Sequence, residues 1–98
     1  MAYQMVTATV AAFERWKAAF EENHTAREEH GSEGYHLFRG SDDPDEITVL
    51  MEFDTAENAR RWESYLREQD DMDAAGMSDV DITYLDLVER QTVGQQTA

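Results

Sequence analysis

Residues Tyr35–Trp62 read YHLFRGSDDPDEITVLMEFDTAENARRW, and this stretch decides the fold. Tyr35–Arg39 and Ile47–Phe53 are short runs rich in aromatic and β-branched residues, the composition of strands. Between them, SDDPDE sets four acids around the only proline of the chain. Clustered like charges need water and proline favours a turn, so this segment is a solvated connection between two antiparallel strands. Ile47–Phe53 is the most apolar run, which predicts a central strand. Asp54 and Thr55 then offer capping oxygens, with Glu57 just inside a helix. Ala59, Trp62 and Leu66 continue that helix on one face to about Glu68.

The flanks complete a symmetric pattern. Upstream, Tyr3–Thr9 (YQMVTAT) is β-rich. A helix follows from about Val10 to Glu29, with Val10, Phe13, Trp16 and Phe20 on one face, and Gly31 ends it. Ser32–Gly34 turn into the second strand. Downstream, DDMDAAG forms a short helical or irregular piece ending at Gly76, and Ile82–Val88 alternates as a fourth strand. Residues from about Gln91 read as a polar tail. The order is βαββαβ, a ferredoxin-like α+β fold with two helices on one face of a four-stranded antiparallel sheet. Residues 1–90 make one domain and 91–98 a flexible tail. Strands three and four are apolar on both sides, so the second sheet face also needs covering. A second copy of the chain stacked on that face is the simplest partner, which predicts a homodimer.

Charge sets further bounds. Asp and Glu number 22 against 8 Lys and Arg, a formal net charge of −14. Such a polyanion repels nucleic acid. Low hydropathy with this charge is one signature of disorder, but the regular aromatic stripes call for a folded core. The pattern resembles halophilic archaeal proteins, in which molar cations screen the self-repulsion. No stretch is long and apolar enough to span a membrane. The start MAYQMVTATV lacks the basic head of a signal peptide, so the expected location is the cytoplasm. Cysteine is absent, which excludes disulfides, thiolate metal sites and thiol nucleophiles.

The candidate site begins where the first helical stripe leaves apolar residues behind. His24 and Arg27 follow Phe20 at helical spacing. Together they could hold a carboxylate, enolate or phenolate, with Arg27 as fixed cation and His24 as acid or base. The alternative is that both reach solvent at the helix end, Arg27 pairing with Glu28 or Glu33. Trp16, Phe20 and Trp62 are core residues by their spacing, and as pocket walls they would suit a flat ligand. Asn58 and Tyr65 flank the second stripe and could add hydrogen bonds. His36 and Phe38 share one face of strand two. They line the pocket if that face meets the helices, and lie at the dimer interface if it does not. His30 reads as a solvated cation at the helix end. No H-x-x-x-H, H-E-x-x-H or calcium-loop pattern occurs, so no metal is expected.

The spacing of Phe13, Trp16-Lys17, Phe20, Arg27 and Gly31, the run Tyr35–Trp62 and the segment Met72–Asp86 together resemble one family. It is the dimeric α+β barrel superfamily, and the chain is similar to its antibiotic-biosynthesis-monooxygenase-like and "cyclase"-labelled members over about residues 3–89. The resemblance implies a homodimer with a pocket between helices and sheet in each subunit. Members include cofactor-independent oxygenases, isomerases, haem-binding enzymes and proteins without known activity. The haem-degrading members place a histidine about three turns beyond a tryptophan matching Trp62. Here that region, ESYLREQDDMDAAG, has none, and Met72 is the nearest substitute. No cofactor is therefore expected. The resulting expectation is a small-molecule-binding protein acting on a cyclic or aromatic anion as a cofactor-free monooxygenase-like or isomerase-like enzyme. The alternative is a homodimer that binds a metabolite or a partner without catalysis.

Overall fold

The computed structural model describes residues 2–69 and 75–91. Its elements are β1 (Ala2–Val10), α1 (Phe13–Glu22), α2 (His24–Glu29), β2 (Ser32–Arg39), β3 (Glu46–Phe53), α3 (Ala56–Gln69) and β4 (Met77–Asp86). The sheet order is β2-β3-β1-β4, with every neighbouring pair antiparallel. This is the ferredoxin-like α+β arrangement, with β3 one of the two inner strands as its apolar run requires.

Several boundaries differ from the sequence expectation. Val10, expected at the start of the first helical stripe, ends β1 on the buried sheet face, so the helix starts at Phe13, and Ser32–Gly34, expected as a turn, already belong to β2. The first helix is two helices, parted at Asn23. There the Asn23 amide donates to the Phe20 carbonyl at 3.2 Å, closing a tighter turn than the α-helix uses. The same carbonyl also accepts from the Arg27 side chain at 2.7 Å, which holds the break in place. The fourth strand begins at Met77 rather than Ile82 and ends at Asp86 rather than Val88. Its register against β1 shifts between Thr7 and Thr9, so that Asp79 and Val80 oppose Ala8 alone. Asp79 adopts φ 53°, a left-handed conformation that aspartate tolerates better than most residues. The polar run SDVD hides this bulged part of the strand from any reading by alternation. The segment expected as a short helical piece falls mostly outside the described residues, as does most of the tail.

The register assigns the sheet faces. Ala2, Gln4, Val6, Ala8 and Val10 of β1 are buried, and so are Ile47, Val49, Met51 and Phe53 of β3. They pair as Val6 with Val49 and Gln4 with Met51, so this side faces the helices. On β2, Leu37 pairs with Val49, whereas His36 pairs with Leu50 and Phe38 with Thr48. His36 and Phe38 therefore occupy the opposite, helix-free face. Tyr3, Met5 and Leu85 share that face, and Phe38 is 55% exposed.

Gly31 joins α2 to β2 at φ +89°, and an added Cβ would come within 2.5 Å of the Asp54 carboxylate. Thr55 caps α3, its hydroxyl accepting the Asn58 amide at 3.0 Å. No helix among the described residues is long and apolar enough to cross a membrane.

Candidate functional site

A cavity of about 340 Å³ lies between the helices and the buried sheet face. Val6, Val49 and Met51 form its floor, Trp16 and Phe20 one wall, and Trp62 and Leu66 another. Its volume sits at the lower end of the roughly 300–1,000 Å³ usual for small-molecule sites. The polar residues that border it are few: Glu22, Asn23 and Arg27.

Arg27 is the unusual member. It is 2% exposed, although arginine is almost never fully buried without an ionic partner. Its Nη1 donates to the Phe20 carbonyl at 2.7 Å, and its guanidinium carbon lies 3.8 Å from the centre of the Phe20 ring. Tyr35 stands beyond, at 5.4 Å. No carboxylate among the described residues pairs with it, and its Nη2 is buried with no hydrogen-bond partner among them. Burial lowers its pKa, slightly opposed by Tyr35, but a guanidinium keeps its proton at any ordinary pH. The outcome is a fixed cation in a largely apolar cavity. Trp62 Nε1 is likewise buried and unpartnered among the described residues.

The aromatic residues form two groups. Along α1, Phe13 meets Trp16 at a tilt with 6.0 Å between centroids and Trp16 stacks on Phe20 at 5.0 Å, with Arg39 over Phe13 at one end and Arg27 over Phe20 at the other. On α3, Trp62 stacks on Tyr65 at 5.3 Å, and His30 packs edgewise on Trp62 at 5.3 Å. His30 is half-buried, its Nδ1 is 2.8 Å from the Ala26 carbonyl, and it braces the tryptophan from behind. It is not the solvated helix-end cation that its position beside Gly31 predicts.

The structure brings Trp16, Phe20, Arg27 and Trp62 to one cavity. Tyr65 supports the Trp62 ring from outside. Asn58 donates to Asp54 Oδ1 at 2.9 Å and serves the start of α3. His24 does not join Arg27: its side chain is 65% exposed and its Nε2 is 3.5 Å from Glu28, because the break at Asn23 turns α2 relative to α1. His36 and Phe38 lie across the sheet from the cavity. Glu22 and Asn23 were not expected there, nor were Met51, Leu66 and Met77. Asn23 had a legible signal, since 16, 20, 23 and 27 continue one helical stripe as well as 24 does. Among the described residues, no three His, Asp or Glu side chains gather closely enough to hold a metal ion.

Beside the cavity, Gln4 is fully buried and donates to the Ala59 carbonyl at 3.0 Å and to the Tyr84 hydroxyl at 3.4 Å. Tyr84 donates to Glu63, whose other oxygen accepts from Arg67 at 2.8 Å. This chain fastens α3, and with it Trp62, to β1 and β4. Burial raises the Tyr84 pKa, helped by the bond to Glu63. Burial also pushes the Glu63 carboxylate up, but the Tyr84 and Arg67 bonds outweigh it and the net shift is downward. The signs give two limbs. Glu63 stabilises the fold above the ordinary carboxylate range, and that part is lost as pH falls. Tyr84 stabilises it below the ordinary tyrosine value of about 10, and that part is lost as pH rises. Tyr84→Phe should therefore cost about 1–2 kcal/mol at neutral pH and remove most of the alkaline limb. Urea unfolding at a series of pH values reads both, and an unchanged alkaline limb would refute the network's role.

The family model described as antibiotic biosynthesis monooxygenase matches residues 1–65 of the 98. The chain belongs to that family. Among solved structures it is similar to SnoaB, a cofactor-independent oxygenase from Streptomyces nogalater, at 16% identity and TM-score 0.71, over 96% of this chain and 97% of that one. A provisionally described family member from Bordetella bronchiseptica matches at 14% identity and TM-score 0.72, covering 90% and 97%. Another from Nitrosomonas europaea matches at 21% and 0.67, covering 91% and 100%. At these identities the likeness speaks for the fold. No curated protein matches the chain.

Proposed function

We propose that this family member binds a small, flat, cyclic or aromatic anion between Trp16, Phe20 and Trp62 and acts on it as a cofactor-independent monooxygenase-like or isomerase-like enzyme. One observation carries the reading: the buried, unpartnered Nη2 of Arg27 on a cavity whose remaining walls are mostly apolar. A cation in such a place attracts a ligand oxygen bearing negative charge, as a carboxylate, enolate or phenolate does. The oxygenase chemistry named for SnoaB is carried to this chain as part of the proposal. The working unit is a homodimer joined through the helix-free sheet face. Phe38, Leu85 and Leu87, the last beside a hollow on that side, are 40% exposed or more. The net charge of −14 supports a salt-adapted cytoplasm as its setting.

The test is titration of tryptophan fluorescence in molar KCl with benzoate and 4-nitrophenolate, against methyl benzoate and nitrobenzene. Saturable binding of the anions, at least about tenfold tighter than their neutral counterparts, is expected. Equal or absent binding of both sets would sink the anion site. Sedimentation in the same salt should give the mass of two chains, and a one-chain mass would sink the dimer.

A further inference from the structure

Glu22 is the last residue of α1 and lines the same cavity as Arg27. It is the only carboxylate among the described residues that does so. A negative charge in the last turn of a helix faces the negative end of the helix dipole, an unfavourable place for it. No ion pair or side-chain hydrogen bond among the described residues offsets this. Lys17 is taken by Glu21, and Arg27 is held by the Phe20 carbonyl. Glu22 and Arg27 share the cavity without forming an ion pair with each other. The arrangement is an exposed carboxylate and a buried cation among the residues that line one cavity.

Resting on the function proposed above, we propose that Glu22 is the general base of the site and that its reaction opens by taking a proton from carbon in an enolisable cyclic ketone. A Glu22 carboxylate oxygen accepts the proton. The electron pair of the broken C–H bond becomes a C=C bond, and the carbonyl π pair moves onto oxygen. Arg27 Nη2–H donates to that enolate oxygen. Charge and atoms balance with no oxidant, and where the ketone carries a β,γ C=C bond conjugated with the enolate, return of the proton to the γ carbon completes an isomerisation. The anion that the cavity holds is then one that it makes. Exposure suits the base, because bulk water can remove or return its proton, while burial suits the oxyanion partner.

A flat carbon acid of known chemistry tests this directly. In 5-nitrobenzisoxazole a base takes the C3 proton, the C–H pair forms a nitrile, the N–O bond breaks, and a coloured cyanonitrophenolate is released. In molar KCl the protein should release it saturably, with kcat/KM above the rate constant of free acetate at the same pH. Glu22→Gln should lower kcat about a hundredfold with little change in KM. Glu21→Gln, which removes the neighbouring carboxylate paired with Lys17, should keep the full rate. Equal rates for Glu22→Gln and the unaltered protein, or a rate no better than acetate, would overturn the assignment. If benzoate still binds in that case, the anion site stands and the base alone falls. If neither binding nor elimination occurs, both readings fall together.

Discussion

Replacing Arg27 by methionine should weaken the binding of benzoate and 4-nitrophenolate by about a hundredfold while leaving stability level or higher. The two halves have separate causes. A charge-assisted hydrogen bond made in a cavity shielded from water contributes more than its surface counterpart, and removing one partner of a buried pair costs about 2–5 kcal/mol. A hundredfold is about 2.7 kcal/mol, within that range. On the stability side, Arg27 is 2% exposed and lacks an ionic partner among the described residues, so its burial opposes folding. Methionine has a similar reach, fills irregular space and leaves no orphaned donor. It gives up the bond to the Phe20 carbonyl, but that oxygen retains the Asn23 amide at 3.2 Å. Alanine would confound the test, since it adds a void costing about 2 kcal/mol or more. Urea unfolding and fluorescence titration of the methionine variant give the two numbers. A stability loss of several kcal/mol with unchanged affinity would mean that Arg27 is a structural cation and that the anion site does not exist.

What the sequence revealed and what it concealed follow from the range of the forces involved. The hairpin around SDDPDE, the cap at Thr55 and the stripe at 59, 62, 66 are local signals, and each produced the element it predicted, whereas the stripe at 10, 13, 16 and 20 gave a shorter helix, Phe13–Glu22, with Val10 left in β1. The burial of Arg27 on the Trp16–Phe20 face was legible as a possibility, because its spacing from Phe20 continues that stripe. The fate of His24 was not. Spacing places it almost as well as Arg27, and the break at Asn23, fixed by a bond from the Arg27 side chain to a backbone carbonyl, decides between them. His36 and Phe38 posed a different difficulty. Alternation gives two faces without saying which one meets the helices, and only the pairing with Leu50 and Thr48 on β3 settles it. Glu22 was concealed by abundance, being one acid among 22.

Trp62→Ala should be the most destabilising single change near the cavity, at about 3–5 kcal/mol. Trp62 is 1% exposed, stacks on Tyr65, meets His30 edgewise and supports the hydrophobic core from α3. Against a total stability of about 5–15 kcal/mol, that loss would leave the variant close to unfolding at low salt. Such a result alone would not separate a core residue from a ligand wall, because either role predicts it. Trp62→Phe makes the separation. Phenylalanine keeps a six-membered ring against Tyr65 and His30, and it removes a buried N–H that has no partner among the described residues. The lost ring area costs stability, while relief of an unsatisfied donor returns about 1–3 kcal/mol, so the net change should be small. If the indole N–H donates to a bound anion, affinity for 4-nitrophenolate should still fall about tenfold, the weight of one hydrogen bond to a charged group. A phenylalanine variant that is stable and binds as tightly as the unaltered protein would confine Trp62 to the core and leave Arg27 as the sole polar anchor of the site.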